Sequence, residues 1–176
     1  MTNKELLEYN KHRKVCQICL ATNREIEEVL QEWVDILKVG PWTVIEMSGE
    51  TIDDPRWNDD PDTESFLYKC AVAMYGNIQV EIVQPIYGRS MTSAFVERVG
   101  TGLQHFKEAI PDENMQSRIL ELKDAGLIPT NSGRLGADYF YNFDSESTLG
   151  FSLELGNYAQ DIKMKEGKYY IFPREE

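Results

Sequence analysis

The chain has 176 residues, 41% of them hydrophobic and 27% charged, a composition typical of one globular domain with a buried core. Its 18 Lys and Arg against 30 Asp and Glu give a formal charge of −12, which disfavours binding to nucleic-acid phosphates or anionic membranes. No apolar run approaches the roughly 20 residues of a membrane span, and the first residues lack the apolar segment of a signal peptide, so we expect a cytoplasmic protein.

The first half of the chain predicts the element order β-α-β-β-β after an N-terminal helix over residues 3–12. The run VCQICLA predicts a strand, and a Thr22–Glu25 capping box then predicts a helix that ends at Gly40, with Ile36 and Leu37 among its inward residues. PWTVIEMSG predicts another strand. The acidic, proline-broken residues 50–65 predict an irregular loop, and the run from residue 66 to 85 predicts a hairpin that turns at 75–77.

Three cysteines occur in the chain, at positions 16, 19 and 70. Their odd number in a chain of this size favours reduced thiols over a disulfide framework. Cys16 and Cys19 form a CxxC within a predicted strand, and strand alternation places their sulfurs on opposite faces. No second CxxC or Cys/His pair occurs in the chain, so we interpret the two cysteines as structural rather than as a zinc half-site or a redox pair.

The second half repeats the order of the first after a short helix in SMTSAFVERVG. GLQHFKEAI predicts a strand, and Asp112 is the predicted cap of a helix that buries Met115, Ile119 and Leu122 and ends at Gly126. GLIPTN, ADYFYNF and TLGFSLEL predict three further strands, and the tail from Asn157 is expected to be irregular or weakly paired. The prediction is therefore an α+β fold in which two βαβββ modules form an eight-stranded open mixed sheet around a shared cavity.

The repeat makes certain positions equivalent. Gln17 and His105 stand at matching places in the first strand of each half, and Glu81 and Glu154 stand at matching places in the last. A lone carboxylate in an aliphatic strand more often faces solvent, but two at matching positions favour an inward-facing site. Four converging oxygen and nitrogen donors suit a divalent metal. We assign residues 1–13 to an extension, 14–88 and 89–157 to the modules, and 158–176 to a tail.

The strings VCQICLAT, KVGPW, VEIVQP, GTGLQH and LGFSLEL resemble the vicinal oxygen chelate superfamily, and most closely its methylmalonyl-CoA epimerase-like and glyoxalase-like branch. The resemblance covers about residues 14–157. It implies a homodimer and a divalent ion (Co, Ni, Mn, Zn or Fe) bound by one residue of the first and last strand of each module, here Gln17, Glu81, His105 and Glu154. The family usually has His at the first position, and the amide of Gln17 is a weaker ligand.

The resemblance also implies catalytic roles. The epimerase mechanism uses two opposed carboxylates beside a metal-held enolate, and Glu154 resembles one of them. The other is expected near Tyr68–Cys70, where this chain has no acid; Glu46 is a substitute, although a surface role explains it as well. Lys107 replaces a small residue on the face of His105, where it is either a cation that stabilises an enolate, a proton donor with a lowered pKa, or turned to solvent.

Substrate-binding candidates are aromatic. They are Trp42, Tyr68, Tyr139 and Tyr141, and core packing explains them equally well. The acidic residues 53–62 and the scattered positions of Arg89, Arg98 and Arg134 argue against recognition of CoA phosphates. His12, in the charged run KHRK, is expected to be exposed.

Three functions fit these observations. The first is an epimerase, racemase or isomerase that transfers a proton at the carbon next to a carbonyl of a small substrate, with a metal-stabilised enolate. The second is a metal-free racemase or lyase of the same fold that acts on an aromatic or phenolic ketone through Lys107. The third is a non-catalytic protein that binds a small aromatic ligand.

Overall fold

The computed structural model describes residues 1–159 and 164–174. Its helices are α1 (Asn3–Asn10), α2 (Ile26–Glu32, followed by a π-helical turn at Trp33–Leu37), α3 (Met91–Val99), α4 (Asp112–Asp124) and α5 (Glu146–Leu149). Its strands are β1 (Val15–Ala21), β2 (Trp42–Ser48), β3 (Asp53–Trp57), β4 (Asp60–Pro61), β5 (Leu67–Tyr75), β6 (Ile78–Tyr87), β7 (Gly102–Ala109), β8 (Ile128–Leu135), β9 (Asp138–Asp144), β10 (Ser152–Gly156) and β11 (Tyr169–Phe172).

One curled sheet contains all strands of the described residues, in the order β11-β2-β5-β6-β1-β7-β10-β9-β8-β3-β4. The first module supplies β2-β5-β6-β1 and the second supplies β7-β10-β9-β8, so the two are arranged about the antiparallel β1–β7 pair in the middle. Within each module the first and last strands are parallel. The predicted α+β class and paired modules are confirmed, whereas the described residues form eleven strands rather than eight.

The central β1–β7 pair carries the internal symmetry of the molecule. Gln17 lies opposite Lys107, and Cys19 lies opposite His105. A two-fold rotation between the strands therefore exchanges Gln17 with His105 and Cys19 with Lys107. This register supports the equivalence that the repeat predicts, and it adds Cys19 as the partner position of Lys107.

The acidic segment after β2 is more ordered than predicted. β3 pairs antiparallel with β8, at the opposite end of the sheet from β2, so residues 49–52 cross from one end to the other. Ile52 is buried in a cluster with Phe140 of the second module. The acidic side chains stay at the exposed edge, where a strand also tolerates Pro55 and Pro61. The expectation of a loop was wrong because the pairing partner lies 70 and more residues away and leaves no local alternation.

Helices α2 and α4 pack on the convex face of the sheet. Ile26, Val29 and Leu30 of α2 pack on the first module, and α4 packs on the second through the predicted Met115, Ile119 and Leu122. The cavity on the concave face is lined by both polar and apolar side chains.

Helix ends differ from the predictions. Thr22 is buried and its hydroxyl accepts a hydrogen bond from the Arg24 backbone, so α2 begins without the predicted capping box. Ile36 and Leu37 are exposed because a π-helical turn rotates them away from the core. Asp112 is the first residue of α4 rather than its cap.

Two terminal segments flank this core. Helix α1 has no buried residue, as expected for an extension, and β11 pairs with β2 along four residues. Positions 160–163 and 175–176 of the predicted irregular tail lie outside the described residues. No helix in the described part of the chain is long and apolar enough to cross a membrane.

Candidate active site

Four polar side chains meet on the concave face where the two modules join. They come from β1, β6, β7 and β10, and they are the four predicted ligands Gln17, Glu81, His105 and Glu154. Nε2 of His105 lies close to three oxygens, which are Glu81 Oε2 at 3.2 Å, Glu154 Oε2 at 3.2 Å and Gln17 Oε1 at 3.4 Å. The four positions that the sequence repeat makes equivalent in pairs thus bring their side chains together in one site.

The ring of His105 is oriented by a neighbour. Its Nδ1 lies 2.6 Å from the Gln104 side-chain oxygen, an acceptor that suits the tautomer in which Nδ1 carries the hydrogen. Nε2 then faces three acceptor oxygens. In that tautomer, a proton on Nε2 or a metal ion between these atoms relieves the repulsion among their lone pairs.

Lys107 lies in this cluster and does not turn to solvent. The residue is only 4% exposed, and its Nζ lies 3.1 Å from Glu154 Oε1 and 3.3 Å from Asp138 Oδ2. Burial by itself lowers the pKa of Lys107, but the two carboxylates outweigh burial and hold that pKa well above its ordinary value. Lys107 is therefore a fixed cation, and the expectation of a lowered pKa was wrong.

Opposing effects also set the pKa values of the other members. Burial by itself raises the pKa of Glu81. Hydrogen bonds that His105 and Cys70 donate to its carboxylate outweigh burial and lower this pKa to about 2. Burial lowers the pKa of His105, but Glu154 and Glu81 outweigh it and raise the pKa above its ordinary value. Burial raises the pKa of Asp138, and Lys107 offsets only part of that rise.

Asp138 was missed by the sequence reasoning. It begins β9 and lines the same cavity, four residues before Asn142, which lies opposite Glu154. In the first module, Tyr68 stands likewise four residues before Val72, which lies opposite Glu81. The carboxylate expected near Tyr68 therefore occurs at the matching position of the other module. Asp138 is identified when the β5–β6 hairpin is aligned with the β9–β10 hairpin by their pairing registers.

Cys19, which the sequence analysis interprets as structural, also lies at this site. Its Sγ and one ligand atom each of Glu81 and His105 all lie within 4.8 Å of one another. Burial raises the pKa of the Cys19 thiol well above its ordinary value, so the thiol stays protonated unless a metal displaces its proton. Cys19 is thus an additional candidate ligand beside the predicted four.

The donor set fits a divalent metal ion. Two ligands bound at about 2.1 Å and separated by 90–109° lie about 3.0–3.4 Å apart, which matches the separations around His105 Nε2. The charges fit as well. Three carboxylates, from Glu81, Asp138 and Glu154, face the single cation of Lys107, and a divalent ion supplies the two missing positive charges when His105 is neutral.

The remaining predicted residues are divided between the cavity and its surroundings. Tyr68 lines the cavity, next to Cys70. Trp42 is completely buried in the outer core, where its indole donates to the Val39 carbonyl. Glu46 lies outside the cavity beside Lys168.

Two tyrosines of β9 also lie outside the set of residues that line the cavity. Tyr141 bonds to Asp59, and Tyr139 packs under Arg134. The structure thus brings Tyr68 to the metal-ligand candidates and leaves the other three aromatic candidates in packing roles.

The cavity around these groups is small, about 80 Å³. Asn142 is buried on its wall, and the Asn142 Oδ1 atom has no hydrogen-bond partner among the described residues. A buried amide oxygen of this kind accepts a hydrogen bond from water or from a ligand hydroxyl. The cavity therefore suits the head of a small polar molecule.

No family model matches the chain, and no curated protein matches it. Solved structures do match. A hypothetical protein from Bacillus halodurans C-125 superposes with a TM-score of 0.63 at 20% identity, covering 87% of this chain and 99% of that one.

Methylmalonyl-CoA epimerase from Mycobacterium tuberculosis matches with a TM-score of 0.56 at 15% identity, covering 81% and 85% of the two chains. A 4-hydroxymandelate synthase variant from Streptomyces coelicolor matches with a TM-score of 0.59 at 17% identity, covering 91% of this chain and 42% of that one. All three are vicinal oxygen chelate proteins. The chain has the vicinal oxygen chelate fold. Its four candidate ligands thus lie in a sheet of this fold whose two ends are linked by residues 49–52.

Proposed function

We propose that this protein is an enzyme that removes and returns a proton at the carbon next to a carbonyl, an epimerase or isomerase with a divalent metal cofactor. The observation that carries the proposal is the convergence of three oxygens on His105 Nε2, beside a buried lysine. The structural likeness to methylmalonyl-CoA epimerase supports the reaction class, because fold neighbours of this kind are mostly enzymes.

Gln17, Glu81, His105 and Glu154 are the residues that would hold the ion, and Cys19 lies within reach of two of them. The bound ion would act as a Lewis acid toward the carbonyl oxygen of the substrate. Imidazole and carboxylate ligands together favour Co, Ni, Mn, Zn or Fe. The hydrogen bond between Gln104 and Nδ1 keeps the His105 lone pair directed at the ion.

Asp138 is the proposed base. Burial raises its pKa toward the working range of a general base, and it lines the cavity beside Lys107. The C–H bond next to the carbonyl breaks, its proton passes to the Asp138 carboxylate, and its electron pair forms the enolate. Lys107 lies where its charge offsets the charge on the enolate oxygen. Return of that proton by Asp138 to a neighbouring carbon completes an isomerisation, whereas epimerisation needs a second acid on the opposite face of the same carbon, the role that the family resemblance implies for Glu154.

Tyr68 and Asn142 are proposed to orient the substrate. The Tyr68 hydroxyl stays protonated because burial raises its pKa, so it is a hydrogen-bond donor. Asn142 Oδ1 accepts from a hydroxyl of the substrate. The resemblance to the family further leads us to propose a homodimer, which sedimentation analysis tests. We also propose a cytoplasmic location, which localisation of a tagged chain tests.

A second candidate function is the metal-free one. The observation in its favour is the burial of Lys107 between two carboxylates. This lysine is a permanent cation in the cavity and could stabilise an enolate without a metal ion. In that case Asp138 and Lys107 carry the reaction on a ketone without a cofactor. Turnover in the presence of a strong chelator, lost in Lys107→Met, distinguishes it from the metal-dependent reaction.

The proposal is tested by metal analysis and solvent exchange. Protein purified without chelator or affinity tag should contain a divalent metal, and cobalt, nickel or manganese should raise its melting temperature. In heavy water, small ketones, 3-oxo acids and acyl-CoA thioesters are screened for incorporation of deuterium next to the carbonyl.

The wild type and three variants distinguish the residues that bind the metal from the residue that acts as the base. His105→Ala should lose both the metal-dependent rise in melting temperature and the exchange, whereas Asp138→Asn should lose only the exchange. His12→Ala, an exposed control, should retain both. If the wild type contains no metal and no ion shifts its melting temperature, the metal-dependent function is excluded; exchange that persists in Asp138→Asn removes the base assignment.

A further inference from the structure

A groove of about 710 Å³ lies next to the small cavity and takes no part in the chemistry above. Its apolar lining includes Trp57, Phe95, Val99 and Leu103. Val99 is 52% and Leu103 45% exposed, so these side chains present apolar surface to solvent. A volume of this size is typical of sites for small organic ligands.

The groove continues the concave face that holds the candidate ligands. Ser152 lines the groove and stands two residues before Glu154 on β10. Ser152 lies opposite His105 across the two strands. Residues two apart on a regular strand share a face, so a molecule on Ser152 is one strand repeat, about 6.6 Å, from Glu154.

Met91 separates the two spaces, because it lines both the groove and the cavity. It is the first residue of α3, and its sulfur accepts a weak hydrogen bond from the Thr130 hydroxyl across the cleft. Methionine has three rotatable bonds and no branch, so it moves aside at low energetic cost. The connection between groove and cavity thus depends on one flexible side chain.

The charges on the groove limit what it can hold. Its charged lining residues are Arg98, Asp144 and Glu146, and Arg98 is already paired with Glu146 at 2.5 Å. A phosphate or carboxylate would therefore meet an unbalanced acid and no free cation in this lining. An uncharged, apolar group matches it better.

From this geometry we infer that the groove binds the uncharged apolar tail of the substrate, whose carbonyl head passes Met91 into the cavity. The inference rests on the proposed function and narrows its substrate class. The substrate is a carbonyl compound with an alkyl or aryl tail, and it is not a CoA thioester, because the phosphates of CoA do not suit an acidic groove.

The test uses the nickel-loaded protein and straight-chain hydroxamates, which chelate a metal through two oxygens and carry a tail of chosen length. Calorimetry is expected to show Kd falling by about two- to fourfold per methylene from acetohydroxamate to octanohydroxamate. Leu103→Gln should flatten this dependence, because the variant makes an exposed groove residue polar. Leu120→Gln, at an equally exposed residue of α4 outside the groove, should retain it. A carboxylate at the end of the octano tail should weaken binding.

Each outcome decides a different point. If acetohydroxamate does not bind the nickel-loaded protein, the metal-centred function fails and this inference with it. If acetohydroxamate binds but longer tails bind no more tightly, or if Leu103→Gln leaves the length dependence intact, the groove is not the tail site. Tighter binding of the carboxylate-ended tail would overturn the assignment of an uncharged occupant.

Discussion

Lys107 gives this cavity its particular electrostatic balance. It reaches between Glu154 and Asp138, and the backbone makes room for it at Gly156 on the neighbouring strand. A Cβ atom at Gly156 would lie 2.2 Å from the Lys107 Cε and 2.5 Å from the Tyr139 carbonyl oxygen. Only glycine at this position leaves the lysine in the cavity, so Gly156 and Lys107 form one structural unit.

Replacing Lys107 by Met is expected to destabilise the metal-free protein by about 3–5 kcal/mol, because Glu154 and Asp138 lose the cation that offsets their burial. A divalent ion should then raise the melting temperature more in Lys107→Met than in the wild type, since it replaces the missing charge. Urea denaturation with chelator and thermal melting with nickel measure the two effects. Lys168→Met, which alters an exposed cation, is the control and should change little. Unchanged stability of Lys107→Met would place the lysine outside the cluster.

Among individual residues, the sequence predicted the four candidate metal ligands but not every charged residue next to them. Gln17, Glu81, His105 and Glu154 were found because an internal repeat marks equivalent positions without any knowledge of distance. Asp138 was not found, since it stands at a strand end where an acidic residue is ordinarily a turn residue. Its place in the cavity follows from the pairing register of β9 with β10, which a sequence alone does not specify.

Among the elements, residues 49–57 join the two ends of the curled sheet. The side chain of Ile52 packs against β8, where Gly133 leaves space for it. A Cβ atom at Gly133 would lie 2.4 Å from the Ile52 Cγ2 and 2.9 Å from the Phe140 Cζ. The contact between Ile52 and β8 thus depends on glycine, which has no side chain, at position 133 of the second module.

Gly133→Ala should therefore destabilise the protein by about 1–3 kcal/mol, because the added methyl group overpacks this contact. The matched control is Gly49→Ala, at a position where an added Cβ meets nothing within 4 Å. Urea denaturation compares the two with the wild type. Equal stability of the Gly133 and Gly49 variants would mean that Ile52 does not pack on β8.

The elements that periodicity predicted are those whose partners are close in the chain. The hairpin of β5 and β6 and the buried face of α4 follow from turn residues and helical spacing. β3 and β11 were not predicted as strands, because each pairs with a distant partner and neither has a fully buried side chain. Edge strands of this kind carry little alternation for a sequence to reveal.

The molecule as a whole keeps its cysteines reduced and inaccessible. Cys16, Cys19 and Cys70 are free and buried, which agrees with the prediction from their odd number. Burial raises the pKa of Cys16 to about 11 and that of Cys70 well above its ordinary value. Protonated, enclosed thiols are poor nucleophiles, so their reactivity reports the opening of the whole fold.

We therefore expect the native protein to react only slowly with a disulfide reagent such as DTNB at neutral pH, and to expose three thiols per chain at once in guanidinium. Above pH 9 the unfolded state loses the Cys16 proton that the folded state keeps until about pH 11, so stability should fall as pH rises through this window. Thiol titration in native and denaturing buffer, together with urea denaturation across that range, measures both effects. Cys16→Ala should lessen the alkaline loss, whereas rapid labelling of a native thiol would show that the sheet opens around its cysteines without global unfolding.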